Sequence, residues 1–505
     1  MFRRARHSGP AFLLFALALP VLTIAGPTGS GPAISETLPG RLVHAHSFEL
    51  LANSRFSVHS GFNGELPAQV MANVLWAMEQ MPRLGSYREL YVATAANVYR
   101  YNRSANRLDV HLAGDHRYSS GSAFEVGIAV PRHEECGMMV QAGLLAALAF
   151  SSDTGAQVVS CPMKWAADYA NANWSPTHTI LMVAVFGRAQ AEGLDTMLVA
   201  RSSDSTLPDP LVVGTDTFEL VLEALEQDSA FAAYPLSLET VSQLLWAAYG
   251  VTPHQTYNGR AGVTVPTAVA AFHLTGRIYL VHDLGIDRYH NRRPPGTDLT
   301  TRDHRLTRIV SGDRRSDLRQ SCSRIPSTAP LYFVVCVSDT ASYATLQEAG
   351  FAAFQLLAQT RSLGLSGFLT IPLSPSERSA IAAALSLPAG HNPVFVFACG
   401  EAATGIGENR RRPEFVQIVR AQPAVRRGLL RVEYSLKRSG PVRAEVFDLL
   451  GRPVRLLFER SQSAGYQSLT WDGTDDSGRP VKRGSYVVVI SSRGSVAQHK
   501  VTWTR

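Results

Sequence analysis

Cysteine is scarce in this 505-residue chain. There are five, Cys136, Cys161, Cys322, Cys336 and Cys399, odd in number and widely scattered. None stands in a Cys-x-x-Cys pair, so no metal site is expected. A Cys136–Cys161 disulfide is open to an exported chain, with buried free thiols as the equal alternative. Charged residues are also few, 18% of the chain, for a net charge of +7. Arginine dominates the positive charge but forms no basic face, so nucleic acid is not an expected partner. Long apolar runs are missing beyond the N-terminus, and nothing there is long enough to cross a membrane. A P-loop, a His-Glu-x-x-His helix and a Ser-His-Asp arrangement are absent too, and with them the chemistries that they carry.

What is present is an ordinary globular balance, with 45% apolar residues and a length that suggests two to four domains. The N-terminus reads as an export signal. Arg3, Arg4 and Arg6 precede an apolar run from Ala11 to Leu19, and Ala25 and Gly26 offer a cleavage point. The run is short for a membrane span and leads into Pro20. The residues after Arg3–Arg4 fit a twin-arginine signal poorly. Residues 1–26 are therefore expected to be a signal peptide. The mature protein would be exported, to the periplasm, the cell surface or the medium. Residues 27–43, largely Gly, Pro, Ser and Thr, read as a linker without packing material.

The stretch from Pro235 to Gly250 organises the rest. Pro235 and Ser237 mark a helix start, and Val241, Leu244, Leu245 and Ala248 form a stripe at helical spacing. Gly250 closes it where a left-handed residue would be wanted. The chain says this twice: Leu66–Pro67, Val70, Val74 and Leu75–Trp76–Ala77 repeat the pattern, with Trp76 in the place of Trp246. Further landmarks recur in the same order. Strand-like Leu90–Ala93 and Val98–Tyr101 precede Gly114–Asp115–His116–Arg117, and Arg277–Val281 precedes Gly312–Asp313–Arg314–Arg315. The apolar helix from Gly137 to Leu148 matches the one that starts at Glu348. Such a series implies a tandem duplication of an α+β unit, at 44–215 and 216–405. Each Gly-Asp-x-Arg is expected to be a turn with an Asp–Arg contact.

Beyond a second linker at 406–416 the pattern changes. Short alternating strands at Leu430–Tyr434, Val442–Phe447, Val454–Phe458 and Tyr486–Ile490 are separated by Gly- and Asp-rich turns. Residues 417–505 are expected to form a small all-β sandwich.

Arg55–Phe56–Ser57–Val58–His59 puts a guanidinium, a hydroxyl and an imidazole close together, the donor set that a phosphate needs. A solvated loop is its plainer reading. Lone histidines such as His254, His273 and His391 read as surface or core residues.

Taken with Leu236–Ser237–Leu238–Glu239 and Leu244–Leu245–Trp246–Ala247–Ala248–Tyr249–Gly250, this run resembles the nitroreductase family, in its azoline-dehydrogenase-like branch, over roughly residues 45–400. The resemblance implies flavin mononucleotide (FMN) bound in an interface between two α+β units, here an intramolecular pseudo-dimer. Position by position it implies Arg55, Ser57 and His59 on the phosphate and Pro266–Thr267 beside the flavin ring. The catalytic residues and the small-molecule substrate stay unassigned. The second copy has Asp228–Ser229–Ala230–Phe231 where its own Arg-Ser run should lie, and in the first copy the Pro-Ser element shortens to Ser86–Tyr87–Arg88. At most one flavin site is therefore expected, and a scaffold that has lost flavin and binds some other ligand is the alternative.

The C-terminal segment resembles the immunoglobulin-like domain of flagellar hook-capping proteins. Its carriers are Val446–Phe447–Asp448–Leu449–Leu450–Gly451–Arg452–Pro453, Trp471–Asp472–Gly473 and Ser477–Gly478–Arg479–Pro480. Relatives of that module end exported proteins as sorting domains, which implies contact with the cell surface or a secretion machinery.

Overall fold

The computed structural model describes residues 35–403 apart from 152–157, 189–198, 215, 257–258 and 293–300. It also describes residues 416–503 apart from 425–428, 437–439, 450, 464 and 493–494. The expected signal peptide, the start of the first linker and nearly all of the second lie outside the described residues.

The first unit carries helices α1 (Phe48–Ser54), α2 (Ala68–Glu79), α3 (His133–Leu148) and α4 (Lys164–Asn173). Its strands are β1 (Glu36–Thr37), β2 (Glu89–Ala93), β3 (Asn97–Asn102), β4 (Arg107–Ala113), β5 (Phe124–Ala129), β6 (Val158–Met163) and β7 (Met182–Arg188). The second unit carries α5 (Phe218–Glu223), α6 (Leu238–Tyr249), α7 (Arg315–Ser321), α8 (Tyr343–Ser362) and α9 (Pro375–Ala384). Its strands are β8 (Ala200–Arg201), a separate ribbon of β9 (Val251–Gln255) and β10 (Ala261–Val263), then β11 (Ile278–His282), β12 (Gly285–Arg292), β13 (Thr301–Ser311), β14 (Leu331–Val337), β15 (Ser366–Thr370) and β16 (Asn392–Gly400).

The sheet orders are β1-β4-β3-β2-β5-β7-β6 and β8-β13-β12-β11-β14-β16-β15. They correspond strand for strand, so the duplication is α+β and complete. Only the first edge differs: β1 pairs antiparallel with β4, whereas β8 pairs parallel with β13. Two boundaries shift from their expected places. β1 and the buried Leu38 belong to the stretch read as a free linker, because β4 offers an open edge to pair with. β8, ahead of residue 216, already belongs to the second sheet.

The units close on each other through α3 and α8. A Cβ on Gly137 would meet the Gln347 carbonyl oxygen at 2.3 Å, and one on Gly350 would meet the Glu134 carbonyl oxygen at 2.2 Å. That reciprocity marks a pseudo-twofold axis. Ser47 and Thr217, which precede the matching Phe48–Glu49–Leu50 and Phe218–Glu219–Leu220, bridge to each other as well. One apolar core runs through both units, from Val74 and Leu145 to Leu245 and Phe354.

Ser237 caps α6 by accepting from Thr240 N at 3.2 Å. Gly250 departs from expectation: its φ is −74° and ψ 155°, extended and not left-handed, because the chain passes directly into β9. Glycine is needed there for closeness, since a Cβ would meet Trp246 Cδ1 at 2.2 Å. Both Gly-Asp-x-Arg segments are turns with left-handed glycines, φ 97° at Gly114 and 88° at Gly312. In each the Arg pairs with the Asp, Arg117 with Asp115 at 2.6 Å and Arg315 with Asp313 at 2.7 Å. All five cysteines are free and buried, so the Cys136–Cys161 disulfide does not form. Their thiols sit on separate elements inside the packed layers.

The C-terminal strands are β17 (Val416–Ala424), β18 (Leu429–Leu436), β19 (Gly440–Asp448), β20 (Pro453–Gln462), β21 (Gly465–Trp471), β22 (Gly484–Ser492) and β23 (Ser495–Trp503). They form sheets β17-β18-β21 and β20-β19-β22-β23 around Trp471, Tyr434, Val446 and Ile490. This domain packs on α1 and on the segment between β8 and α5: Leu50 and Val213 share an apolar cluster with Phe447, Val487 and Val489.

Candidate functional site

A cavity of about 1390 Å³ opens where α1, the start of α4, the β9–β10 ribbon, the start of α8 and the C-terminal domain meet. It is larger than the usual ligand pocket. Arg55, Ser57, His59, Pro266 and Thr267 all line it. The first three come from the extended chain that leaves α1, and the last two from the turn that follows β10.

Arg55 is the residue on which α1 ends, and it is 3% exposed. Its Nε donates to the Thr264 carbonyl at 3.3 Å and Nη2 to the Val263 carbonyl at 3.2 Å. Nη1 donates to Ser57 Oγ at 3.2 Å. The guanidinium thus ties the first unit to the second unit's ribbon. Burial lowers its pKa to about 10, which leaves it charged at neutral pH. Among the described residues no carboxylate pairs with it. A buried cation held only by carbonyls and a hydroxyl is a costly arrangement unless an anion completes it. Gln141 of α3 and Gln355 of α8 also donate to the Thr264 carbonyl, at 3.1 and 3.0 Å, so both central helices converge on this point.

His59 Nδ1 lies 3.4 Å from Cys161 Sγ, and desolvation disfavours its imidazolium. Burial pushes the Cys161 thiol up to about 12, so it is a neutral wall residue. Pro266 is buried, and Thr267 Oγ1 accepts from Phe272 N at 2.8 Å. The turn between them carries left-handed φ at Val269 (46°), Ala270 (51°) and Phe272 (53°). A β-branched residue in that region is strained, and such strain gathers at ligand sites.

Residue-level reading of the sequence missed several lining residues. His254, read there as a lone histidine, stands on the ribbon with Nδ1 2.7 Å from Thr252 Oγ1. Burial first, then the charges of Arg55 and Arg292, lower its pKa to about 3, so it is a neutral imidazole. Arg292, which does not itself line the cavity, stacks 3.8 Å over the ring of the lining residue Phe272 and donates to the Ala261 carbonyl at 2.9 Å. Lys164, Trp165, Tyr343 and Arg452 line the cavity from three further elements. Among the described residues no Asp or Glu lines it. The described lining therefore carries three basic side chains, Arg55, Lys164 and Arg452, three histidines and several aromatic faces, a setting for an anion with a planar apolar body.

The symmetry-related position is built differently. The interval from Phe48 to Phe218 equals that from Trp76 to Trp246, and the same interval carries Arg55 to Leu225 and Ser57 to Gln227. Neither pair of replacements supplies a cation. Asp228, expected to oppose a phosphate, instead donates its N–H to the Gly367 carbonyl at 3.1 Å, while its carboxylate caps the Ala230 N–H. Ser86 and Tyr87 do not line the large cavity, and Tyr87 stacks on His178 at 3.8 Å.

Comparison with known proteins gives three results. No curated protein matches the sequence. Among solved structures, a protein described as a nitroreductase from Anabaena variabilis is 11% identical, with a TM-score of 0.49, over 69% of this chain and 93% of its own. One so described from Ralstonia eutropha is 24% identical, with a TM-score of 0.33, over 42% of this chain and 97% of its own. An FMN-dependent nitroreductase from Clostridium difficile is 14% identical, with a TM-score of 0.25, over 37% of this chain and 87% of its own. Residues 427–495 match the FlgD Ig-like domain family. The chain joins a tandem α+β pair to a C-terminal domain that matches the FlgD Ig-like domain family.

Proposed function

We propose that this is an exported FMN-dependent oxidoreductase of nitroreductase type, with a single flavin site in the seam between its two units. The observation that carries the proposal is Arg55, a buried guanidinium facing a cavity; among the described residues it has no carboxylate partner and the cavity has no acidic lining. Arg55 and Ser57 would hold the flavin phosphate, with His59 beside them. Pro266 and Thr267 would border the ring. When bound, the flavin supplies hydride transfer at N5. The protein contributes attraction of the anion, a dry apolar wall from Leu51, Val265 and Phe351, and the strained Thr267–Phe272 turn that holds the wall in place. The N-terminal charge and apolar pattern supports export, and the C-terminal domain would make the contact with a cell surface or secretion machinery.

A second reading has its own observation. Three donors of Arg55 are already engaged with protein atoms, so the cavity could serve a flavin-free protein that binds another organic anion. Absorption spectra separate the two. Purified protein should show the flavin bands and release FMN on denaturation. Colourless protein that leaves the fluorescence of added FMN unquenched would contradict the oxidoreductase.

A further inference from the structure

The C-terminal domain reaches the cavity itself. Gly451, Arg452 and Pro453, on the turn from β19 to β20, line it. Their place is set by α1. Asn53 Nδ2 donates to the Leu449 carbonyl, and a Cβ on Gly451 would meet Leu50 Cδ1 at 2.1 Å. Gly451 takes φ +77°, which a side chain would strain, so the turn fits α1 only as it is. Asn53 stands two positions before Arg55 on the same short segment, so the seat of the domain and the buried cation are joined by one rigid piece.

The exposed side of the cavity has a matching character. Trp165 is 77% exposed and Val269 78%, and both line it together with Tyr118 and Tyr343. Exposed apolar residues gathered on one cavity mark a ligand surface. Arg452 pairs through Nε with Asp448 at 2.7 Å, which orients the guanidinium, while Lys164 lies 5.7 Å from the Tyr343 ring centroid.

We infer that the Ig-like domain is a working wall of the site: Arg452 receives the anionic group of a planar aromatic substrate, a carboxylate or sulfonate, and ligand binding and domain seating reinforce each other. This deepens the reading above by naming a substrate class, since it concerns the same cavity. It does not require flavin to be bound.

The test uses the full chain without added flavin and two fluorescent probes, anionic 8-anilinonaphthalene-1-sulfonate and uncharged N-phenyl-1-naphthylamine. The parent should bind the sulfonate more tightly. Arg452→Glu should weaken the sulfonate about tenfold or more, in keeping with a charge-assisted contact, and leave the uncharged probe unchanged. Gly451→Val should weaken both probes and speed amide exchange across Phe48–Ser54, whereas the sulfonate should slow that exchange in the parent. Arg452→Glu protein that binds the sulfonate as tightly as the parent overturns the inference, and so does α1 exchange indifferent to both ligand and Gly451→Val. Failure of FMN uptake alone would sink only the flavin reading, because these probes report on the flavin-free chain.

Discussion

The two units share every strand of their sheets, but the second carries after α6 a ribbon that the first lacks. In the first, α2 ends at Glu79, and by Leu84 the chain donates its N–H to Glu135 at 2.7 Å. In the second, the equivalent bond from Leu274 N to Glu348, at 3.2 Å, is made only after the ribbon and the strained turn. That extra stretch supplies His254, Pro266 and Thr267 to the cavity. The first unit supplies Arg55, for which the second has Leu225. On the proposed reading each unit supplies one part of the site and lacks the other.

The paired tryptophans give the largest effect with which to probe this asymmetry. Trp246 is 1% exposed, whereas Trp76 is partly exposed under the Arg41 guanidinium at 4.9 Å. Trp246→Ala should cost about 3–5 kcal/mol and Trp76→Ala clearly less, read from denaturant unfolding. Equal costs would mean that the two helices are buried alike.

The paired glutamates should then separate by sign. Glu135 is ion-paired with buried Arg88 at 2.7 Å, so Glu135→Gln leaves that cation only its longer pair with Glu79, at 3.7 Å, and should cost about 2–3 kcal/mol. Glu348 accepts from the Tyr249 hydroxyl, and burial raises its pKa to about 7. Its folded-state pKa lies above the unfolded value, so its contribution is full below about pH 4.5 and is lost as pH rises through 7. Glu348→Gln removes that loss. Its stability relative to the parent should therefore improve from pH 5 to pH 8, and melting curves at the two pH values would show it.

Arg55→Ala should weaken FMN binding about a hundredfold, the loss of one strong charge-assisted contact, in protein that still melts cooperatively. Leu225→Arg should create no second site, because the first unit has no ribbon to face it. Smallest is the helix cap. Ser237→Ala should cost about 1 kcal/mol, whereas α2 starts at Pro67 with no side-chain cap to lose.

Much of this arrangement is legible in the sequence, because helix periodicity and repeated landmarks are local signals. Trp76 and Trp246, the two Gly-Asp-x-Arg turns and the Glu135 and Glu348 helices locate the duplication. The Arg55–His59 run locates half of the cavity. The Phe48–Glu49–Leu50 repeat is just as plain but too short to weigh alone. The ribbon is harder to see, since β10 has three residues and its turn owes its shape to positive φ at residues with no special sequence signal. Least legible is the seat of the C-terminal domain. The contact of Gly451 with Leu50 joins residues from opposite ends of the chain, and Gly451 reads as an ordinary turn glycine until both are placed in space.

Calorimetric titration of the full chain with FMN tests the composite cavity most directly. One FMN bound per chain, with binding about a hundredfold weaker in the Arg55→Ala variant, is the predicted result. Two equivalents per chain, or one equivalent held as firmly without Arg55, would contradict a single site built half from each unit.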